Sequence, residues 1–323
     1  NQAKKVKVEN IIKKADKSIN KYQGFVDTVI QEVIDRTGDN PYEVSMDIYT
    51  TLMSDKQDVI EDFYKNWKFK DDKVQVGIGI IDNNTGSIIA VGAGRNKNSA
   101  MSLNYATQIK RHPGSTAKPL FDYGPGIEYK NWSTYTPFID KPVNYTGGGT
   151  MRNVDGKYQG FLTLEQCLVR SRNTCALQAF QQLSNSKIDK FVTSLGITPE
   201  YLGSSRYINE AHSIGGFTGV SPVQLANAYS AFGNGGYFSE AHSINKIVYK
   251  NVIDCKNGGI INFTSYNVIK NNSSQVVIND FDNSISSFNV YALTSFPGGV
   301  IGFTTLLLER IIEAASNPGD LVF

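Results

Sequence analysis

Arg111-His-Pro-Gly-Ser-Thr-Ala-Lys-Pro119 is the stretch of this sequence that carries the most chemical information. Pro113 and Gly114 break the chain, so we expect a helix to begin at Ser115, which places the amine of Lys118 on the same face as the hydroxyl. A serine is a weak nucleophile until a neighbour accepts its proton, and a desolvated lysine can do so. The spacing therefore predicts a lysine-activated serine. Its plain alternative is a capping serine beside a solvated lysine, because S-x-x-K also arises by chance.

A second element lies further along the chain, at Val169-Arg-Ser-Arg-Asn-Thr174. It gives an S-x-N spacing with Ser171 and Asn173, 56 residues after Ser115. The alternative reading is a loop at a helix end, in which both side chains only cap backbone groups. The pair of motifs in this order favours a serine acyl-transfer site.

The bulk composition narrows the function classes. The chain has 323 residues, of which 40% are hydrophobic and 19% charged, and its net charge of +2 gives no electrostatic reason to expect a nucleic-acid partner. The three cysteines Cys167, Cys175 and Cys255 form no C-x-x-C pair, and three histidines supply no cluster with zinc spacing. We expect no metal and no cofactor, and we interpret the cysteines as packing residues.

Residues 1–73 have the pattern of a lead-in module. Apolar residues recur at helical spacing from Val26 to Ile34, a β-branched alternation follows over Val44–Leu52, and helical spacing returns over Asp55–Phe69. The pattern predicts a helix, a strand and a second helix before the main domain.

Residues 74–250 form the predicted main domain. Val74–Ile81 and Ser87–Val91 are two strands joined by the tight turn Asp82-Asn-Asn-Thr-Gly86, which predicts a β-hairpin. The remaining stretch, 251–323, is rich in Asn, Ser, Ile and Phe and poor in charge, with no sustained helix or strand pattern. We therefore expect a divergent tail.

The two motifs and several flanking segments resemble the transpeptidase domain of class A penicillin-binding proteins, the bifunctional peptidoglycan synthases, and most closely the staphylococcal type. S-x-x-K, S-x-N and K-[TS]-G are recorded motifs of this group. The resemblance covers about residues 20 to 250. Its further segments, in family order, are Ile48-Tyr-Thr-Thr-Leu52, Asp82-Asn-Asn-Thr-Gly-Ser-Ile-Ile-Ala-Val91, Leu120-Phe-Asp-Tyr-Gly-Pro125, Ser213-Ile-Gly-Gly216, Ser221-Pro-Val-Gln-Leu-Ala-Asn-Ala-Tyr229 and Phe232-Gly-Asn-Gly-Gly236.

The resemblance implies a serine-type D,D-transpeptidase that cross-links peptidoglycan stem peptides and that β-lactams acylate. Ser115 would be the nucleophile, Lys118 the proton acceptor, Ser171 a relay towards the leaving nitrogen, and Asn173 the amide that holds the lysine and the substrate. The partners it implies are D-Ala-D-Ala stem peptides, β-lactam antibiotics and other cell-wall synthesis proteins. The expected location is the extracytoplasmic face of the bacterial membrane, with an anchor in a segment that precedes this chain.

One family motif is missing. No K-[TS]-G tripeptide follows Asn173, and the nearest approximation, Lys256-Asn-Gly258, comes too early in the chain. Two alternatives therefore stand beside the transpeptidase: an inactive remnant that binds peptidoglycan or β-lactams, and a β-lactamase or D,D-carboxypeptidase.

The fold expected from the resemblance is an α/β (α+β) transpeptidase fold, with an antiparallel sheet and helices on both sides. Because the last core strands should be encoded after residue 250, we expect an incomplete sheet with exposed edges.

Overall fold

The computed structural model describes residues 20–250, 253–254, 259–260 and 288–295. Its α-helices are α1 (Gln23–Thr37), α2 (Ser54–Asn66), α3 (Gly124–Lys130), α4 (Leu164–Val169), α5 (Asn173–Gln181), α6 (Asn185–Ser194) and α7 (Pro222–Gly233). Its strands are β1 (Met46–Thr50), β2 (Gln75–Asp82), β3 (Ile88–Gly92), β4 (Pro137–Asp140), β5 (Val143–Asn144), β6 (Thr150–Met151), β7 (Gly160–Thr163), β8 (Tyr201–Leu202), β9 (Tyr207–Ile208), β10 (Ile244–Tyr249), β11 (Ile253–Asp254), β12 (Gly259–Ile260) and β13 (Phe288–Ser295).

The main sheet is antiparallel, with β2 between β13 and β3. Alternate residues of β2 point to opposite faces, so Val76 and Ile78 pack with α2 in one hydrophobic cluster. On the other face, a Cβ at Gly79 would lie 2.8 Å from the Val223 side chain of α7. The glycine therefore lets α7 lie close against the sheet, and helices cover both of its faces.

The lead-in elements predicted from periodicity are confirmed as α1, β1 and α2, and the predicted hairpin is confirmed as β2 and β3. The lead-in elements contact the main domain directly. Strand β1 pairs antiparallel with β10, with Met46 opposite Tyr249. Phe25 and Val33 of α1 share a hydrophobic cluster with Val91 of β3. The lead-in residues thus complete the packing of the sheet.

The lead-in also covers the outer edge of β3. The Gln57 side chain is fully buried; its amide donates to the Val91 carbonyl at 2.8 Å, and its oxygen accepts from the Val91 N–H at 2.8 Å. The Met53 N–H donates to the Ile89 carbonyl at 2.9 Å. The expected exposed edge is therefore wrong for β3, because side-chain and backbone groups from residues 53 and 57 replace a missing strand.

Helix α7 joins two hydrophobic clusters. Val223 and Ala226 belong to the cluster that includes α1 and β3, whereas Leu225 and Ala228 belong to the cluster beneath the S-x-x-K stretch. A capping box at Ser221 and Gln224, with Pro222 in the first turn, begins this helix. The sheet and the helical layer therefore share one central element.

The tail contributes a strand to the main sheet, contrary to the expectation of no regular pattern after residue 250. β13 pairs with β2 over its whole length, from Phe288 opposite Asp82 to Ser295 opposite Gln75. Its eight residues carry no charge, as suits a strand that joins a mostly buried neighbour. The scarcity of charge after residue 250 suggested that regular structure ends there. In β13 the same feature instead fits a strand of this sheet. The remaining expectations on the tail, including Lys256-Asn-Gly258, lie outside the described residues.

Candidate active site

The S-x-x-K stretch forms a 3₁₀ turn, Gly114–Ala117, followed by a π-helical turn, Pro119–Tyr123, and then α3. The predicted helix start is thus present but is not a regular α-helix. Residues three apart eclipse one another in 3₁₀ geometry, and the Lys118 N–H donates to the Ser115 carbonyl. Ser115 is solvent-exposed, whereas Lys118 is fully buried. The nucleophile candidate is therefore accessible and the lysine is shielded from water.

Close backbone packing holds this turn. Gly219 has a φ of +104°, and a Cβ there would overlap the carbonyl oxygen of Arg111, with which Val220 forms an isolated antiparallel bridge. A Cβ at Gly215 would likewise overlap the backbone of Gly114. Only glycine allows both the left-handed conformation and this approach, which fixes the chain just before Ser115.

The second motif lies against the first, as the sequence predicts. The Lys118 Nζ donates to the Ser171 Oγ at 2.9 Å, the Ser171 carbonyl at 2.7 Å and the Asn173 Oδ1 at 2.8 Å. Within the described residues, Nζ makes no hydrogen bond to Ser115. The structure therefore brings Lys118, Ser171 and Asn173 into one hydrogen-bonded group and places Ser115 at the start of the same turn as the lysine.

The electrostatics of the site make the lysine easier to deprotonate than a lysine in water. Burial lowers the pKa of Lys118 to about 8; the negative charge of Asp122 acts to raise it, and the positive charge of Arg172 to lower it. With a pKa in this range the ammonium form predominates at neutral pH, and a minor fraction of free amine is present. The amine can then accept a proton.

Asp122 lies one turn after Lys118 and was not identified from the sequence. It is fully buried, and neither carboxyl oxygen has a hydrogen-bond partner in the described residues. Burial raises the pKa of Asp122 well above its usual range, and Lys118 opposes this shift. The raised pKa favours the neutral carboxyl, and only the ionised form of Asp122 would stabilise the charged lysine.

The loop that carries the second motif is unusually constrained. Ser171 has a φ of +50°, a left-handed conformation that is uncommon outside glycine and is often found at functional sites. A disulfide joins Cys167 in α4 to Cys175 in α5, with Cα atoms 6.1 Å apart, and so brackets the loop. Both cysteines are fully buried in a hydrophobic cluster, which agrees with their interpretation as packing residues, but the bond between them was not predicted.

The chain matches a known family over most of its length. A family model described as the penicillin-binding protein transpeptidase domain matches residues 76–287. Penicillin-binding protein 1A/1B of Bacillus subtilis is 39% identical over 259 residues, which cover 77% of this chain and 28% of that protein. Penicillin-binding protein 1A of Streptococcus pneumoniae is 34% identical over 246 residues, which cover 72% and 34% respectively. The chain thus spans only about a third of the length of these relatives.

Solved structures show the same fold. PonA1, a penicillin-binding protein from Mycobacterium tuberculosis, superposes with a TM-score of 0.62 at 19% sequence identity, covering 74% of this chain and 63% of that one. A structure of PonA1 in complex with penicillin V superposes with a TM-score of 0.61.

The family match also corrects one boundary. The sequence predicted that the resemblance ends near residue 250, yet the match continues to residue 287, and β13 follows directly at Phe288. The change in composition near residue 250 is therefore not the end of the family sequence. The family model, the sequences of the relatives and the fold agree, and the chain belongs to the penicillin-binding protein transpeptidase domain family, of the type found in class A penicillin-binding proteins 1A.

Proposed function

We propose that this chain is a serine-type D,D-transpeptidase that acts through an acyl-enzyme on D-Ala-D-Ala stem peptides of peptidoglycan. Ser115 Oγ attacks the carbonyl between the two D-Ala residues, the terminal D-Ala leaves with a proton on its nitrogen, and an amine of a neighbouring strand takes the acyl group. A β-lactam acylates the same oxygen when its ring amide opens.

Each site residue has one role in this proposal. Lys118 accepts the proton of the Ser115 hydroxyl, and Ser171 passes a proton to the leaving nitrogen. Asn173 holds the lysine amine and the peptide backbone of the substrate, and the Ser115 N–H donates to the developing oxyanion. The observation that most supports this proposal is that one buried amine, Lys118 Nζ, donates hydrogen bonds to both Ser171 and Asn173.

The proposal also covers the domain boundaries of the chain, its location and its partners. We assign residues 1–73 to the lead-in, and the family match that begins at residue 76 supports this first boundary. The boundary between residues 250 and 251, predicted from the change in composition, is moved towards the C-terminus, because the same match continues to residue 287. We place the site at the extracytoplasmic face of a bacterial membrane, with other cell-wall synthesis proteins as partners. In the described residues, no helix has both the length and the apolar run that a membrane span needs.

The staphylococcal affinity within class A proteins also remains a prediction. It rests on segments such as Ile48–Leu52 and Leu120–Pro125. A tree built from complete transpeptidase domains of staphylococci, streptococci and bacilli would check it, and a placement outside the staphylococcal branch would contradict it.

A second candidate, an inactive β-lactam-binding or peptidoglycan-binding remnant, is favoured by one observation: no K-[TS]-G follows Asn173 in the sequence. In the family, that motif's lysine binds the substrate carboxylate. A chain without it would bind poorly or acylate slowly.

Labelling with a fluorescent penicillin separates these functions. For the transpeptidase we expect a stable covalent adduct that is absent from Ser115→Ala, whereas no adduct on the folded wild type supports the remnant. Rapid loss of the label supports a β-lactamase. Release of D-Ala from a pentapeptide substrate, with and without an added amine acceptor, then distinguishes the transpeptidase from a D,D-carboxypeptidase.

A further inference from the structure

A buried polar network lies behind the second motif and takes no part in the chemistry described above. Asp140, at the end of β4, is 1% exposed and accepts hydrogen bonds from Thr174 at 2.5 Å, from the amide of Asn153 at 2.7 Å and from Arg172 Nε at 2.8 Å. The Gln159 N–H adds a fourth at 2.9 Å. Burial opposes the charge, but these bonds hold the pKa of Asp140 below its usual range. The carboxylate is thus a fixed, ionised anchor.

Asn153 connects this anchor to the site. While its amide nitrogen donates to Asp140, its oxygen accepts from the backbone N–H groups of Asn173 at 2.8 Å and Thr174 at 3.3 Å. These are the first two residues of α5, whose N–H groups have no partner within the helix. Asn153 therefore fixes the backbone of Asn173 from outside the helix.

Arg152, the residue before Asn153, orients the Asn173 side chain. The Asn173 Nδ2 donates to the carbonyl of Arg152 at 3.1 Å, which leaves Oδ1 to accept from Lys118 Nζ at 2.8 Å. An amide turned the other way would present a donor to the lysine, which already carries donors only. Residues 152 and 153 thus set both the position and the direction of the amide.

We propose that Asn153, anchored by Asp140, is a positioning residue for acylation: it holds Asn173 so that the amide oxygen faces Lys118. This inference rests on the proposed function of Lys118 and Asn173 but concerns a residue whose hydrogen bonds, within the described residues, go to neither Ser115 nor Lys118. Without Asn153, the first turn of α5 loses its external acceptor, and the Asn173 oxygen no longer holds the lysine.

Replacement of Asn153 by Ala has a measurable signature. An ammonium that loses a hydrogen-bond acceptor is less stable in its charged form, so the pKa of Lys118 falls in Asn153→Ala. Asp122 and Arg172 are the ionisable groups that act on the pKa of Lys118 in the described residues, and both side chains are retained in this variant. We therefore expect the acylation rate per folded molecule to fall by about tenfold to a hundredfold and the midpoint of its pH profile to move to lower pH.

Asn185→Ala is the matched control. The Asn185 side chain, like that of Asn153, accepts from a backbone N–H, here that of Ile208 at 2.7 Å. It also donates to the Ile208 carbonyl at 2.9 Å, and it lies outside this network. Both variants should lose thermal stability, while only Asn153→Ala should change the rate and the pH midpoint of penicillin acylation. Equal effects of the two variants, or an unchanged midpoint in Asn153→Ala, would overturn the proposal.

A second measurement does not depend on activity. The pKa of Lys118 can be followed by NMR of ¹⁵N-labelled lysine side chains, with the signal assigned from its absence in Lys118→Arg. A lower Lys118 pKa in Asn153→Ala than in Asn185→Ala supports the positioning role, and equal values contradict it. If the wild type fails to react with penicillin, the proposed function is wrong, and this titration still decides the role of Asn153.

Discussion

At the scale of single residues, the burial of Lys118 predicts how acylation depends on pH. The free amine accepts the Ser115 proton, and burial lowers the pKa of Lys118 to about 8, so the rate should rise with pH and reach half its plateau near pH 8. Penicillin acylation measured from pH 6 to 9.5 checks this. Lys118→Arg, which keeps the positive charge but cannot deprotonate, should be inactive throughout. A pH-independent wild-type rate would contradict lysine as the base.

Gly219 offers a second prediction at this scale. Its left-handed φ and its contact with the Arg111 carbonyl leave no room for a Cβ, so Gly219→Ala should lower the free energy of unfolding by more than about 1 kcal/mol. Urea unfolding provides the measurement. Gly147→Ala is the control, because Gly147 is exposed and a Cβ there meets nothing within 4 Å. Equal stability of the two variants would show that the chain before Ser115 can shift freely.

At the scale of secondary-structure elements, Gln57 of α2 acts as a substitute for a strand at the edge of β3. Gln57→Leu leaves the Val91 N–H and carbonyl without these partners in a buried setting, which should cost about 2 kcal/mol or more in unfolding free energy. Gln31→Leu is the control, since the Gln31 amide donates to Asp35 at the surface of α1. Chemical denaturation of both variants would test this. If Gln57→Leu proved as stable as the control, water must satisfy the edge.

Local sequence predicted the elements better than it predicted their partners. Periodicity located α1, α2 and the β2–β3 hairpin, and the family spacing indicated Lys118, Ser171 and Asn173, because these signals lie within short stretches of chain. Asn153 and Gln57 were missed because they bond to backbone groups that are distant in the sequence, 20 residues away for Asn153 and 34 for Gln57. An isolated Asn or Gln carries no sign of such a contact. β13 was missed for a related reason: its partner is β2, at the far end of the domain.

At the scale of the whole molecule, α7 couples the lead-in and sheet to the helical layer that carries the site. It contributes Val223 to one hydrophobic cluster and Leu225 to the other, so neither cluster can come apart without disturbing the same helix. The two tryptophans of the chain can report separately on the lead-in and on the helical layer. Trp67 follows α2 and contacts Phe63 with ring centroids 5.7 Å apart, and Trp132 contacts Phe138 at 5.4 Å in the helical layer.

Unfolding should therefore be cooperative across the proposed boundary at residue 73. Trp132→Phe and Trp67→Phe each keep one tryptophan. In each variant, the urea transition followed by fluorescence should have the same midpoint as the transition followed by circular dichroism. A Trp67 transition at clearly lower urea would mean that residues 20–73 unfold alone. In that case penicillin acylation should persist after the first transition, because the S-x-x-K turn would remain folded. Coincident midpoints, with acylation lost in the same step, would instead make the lead-in part of the unit that holds Ser115 and Lys118 in place.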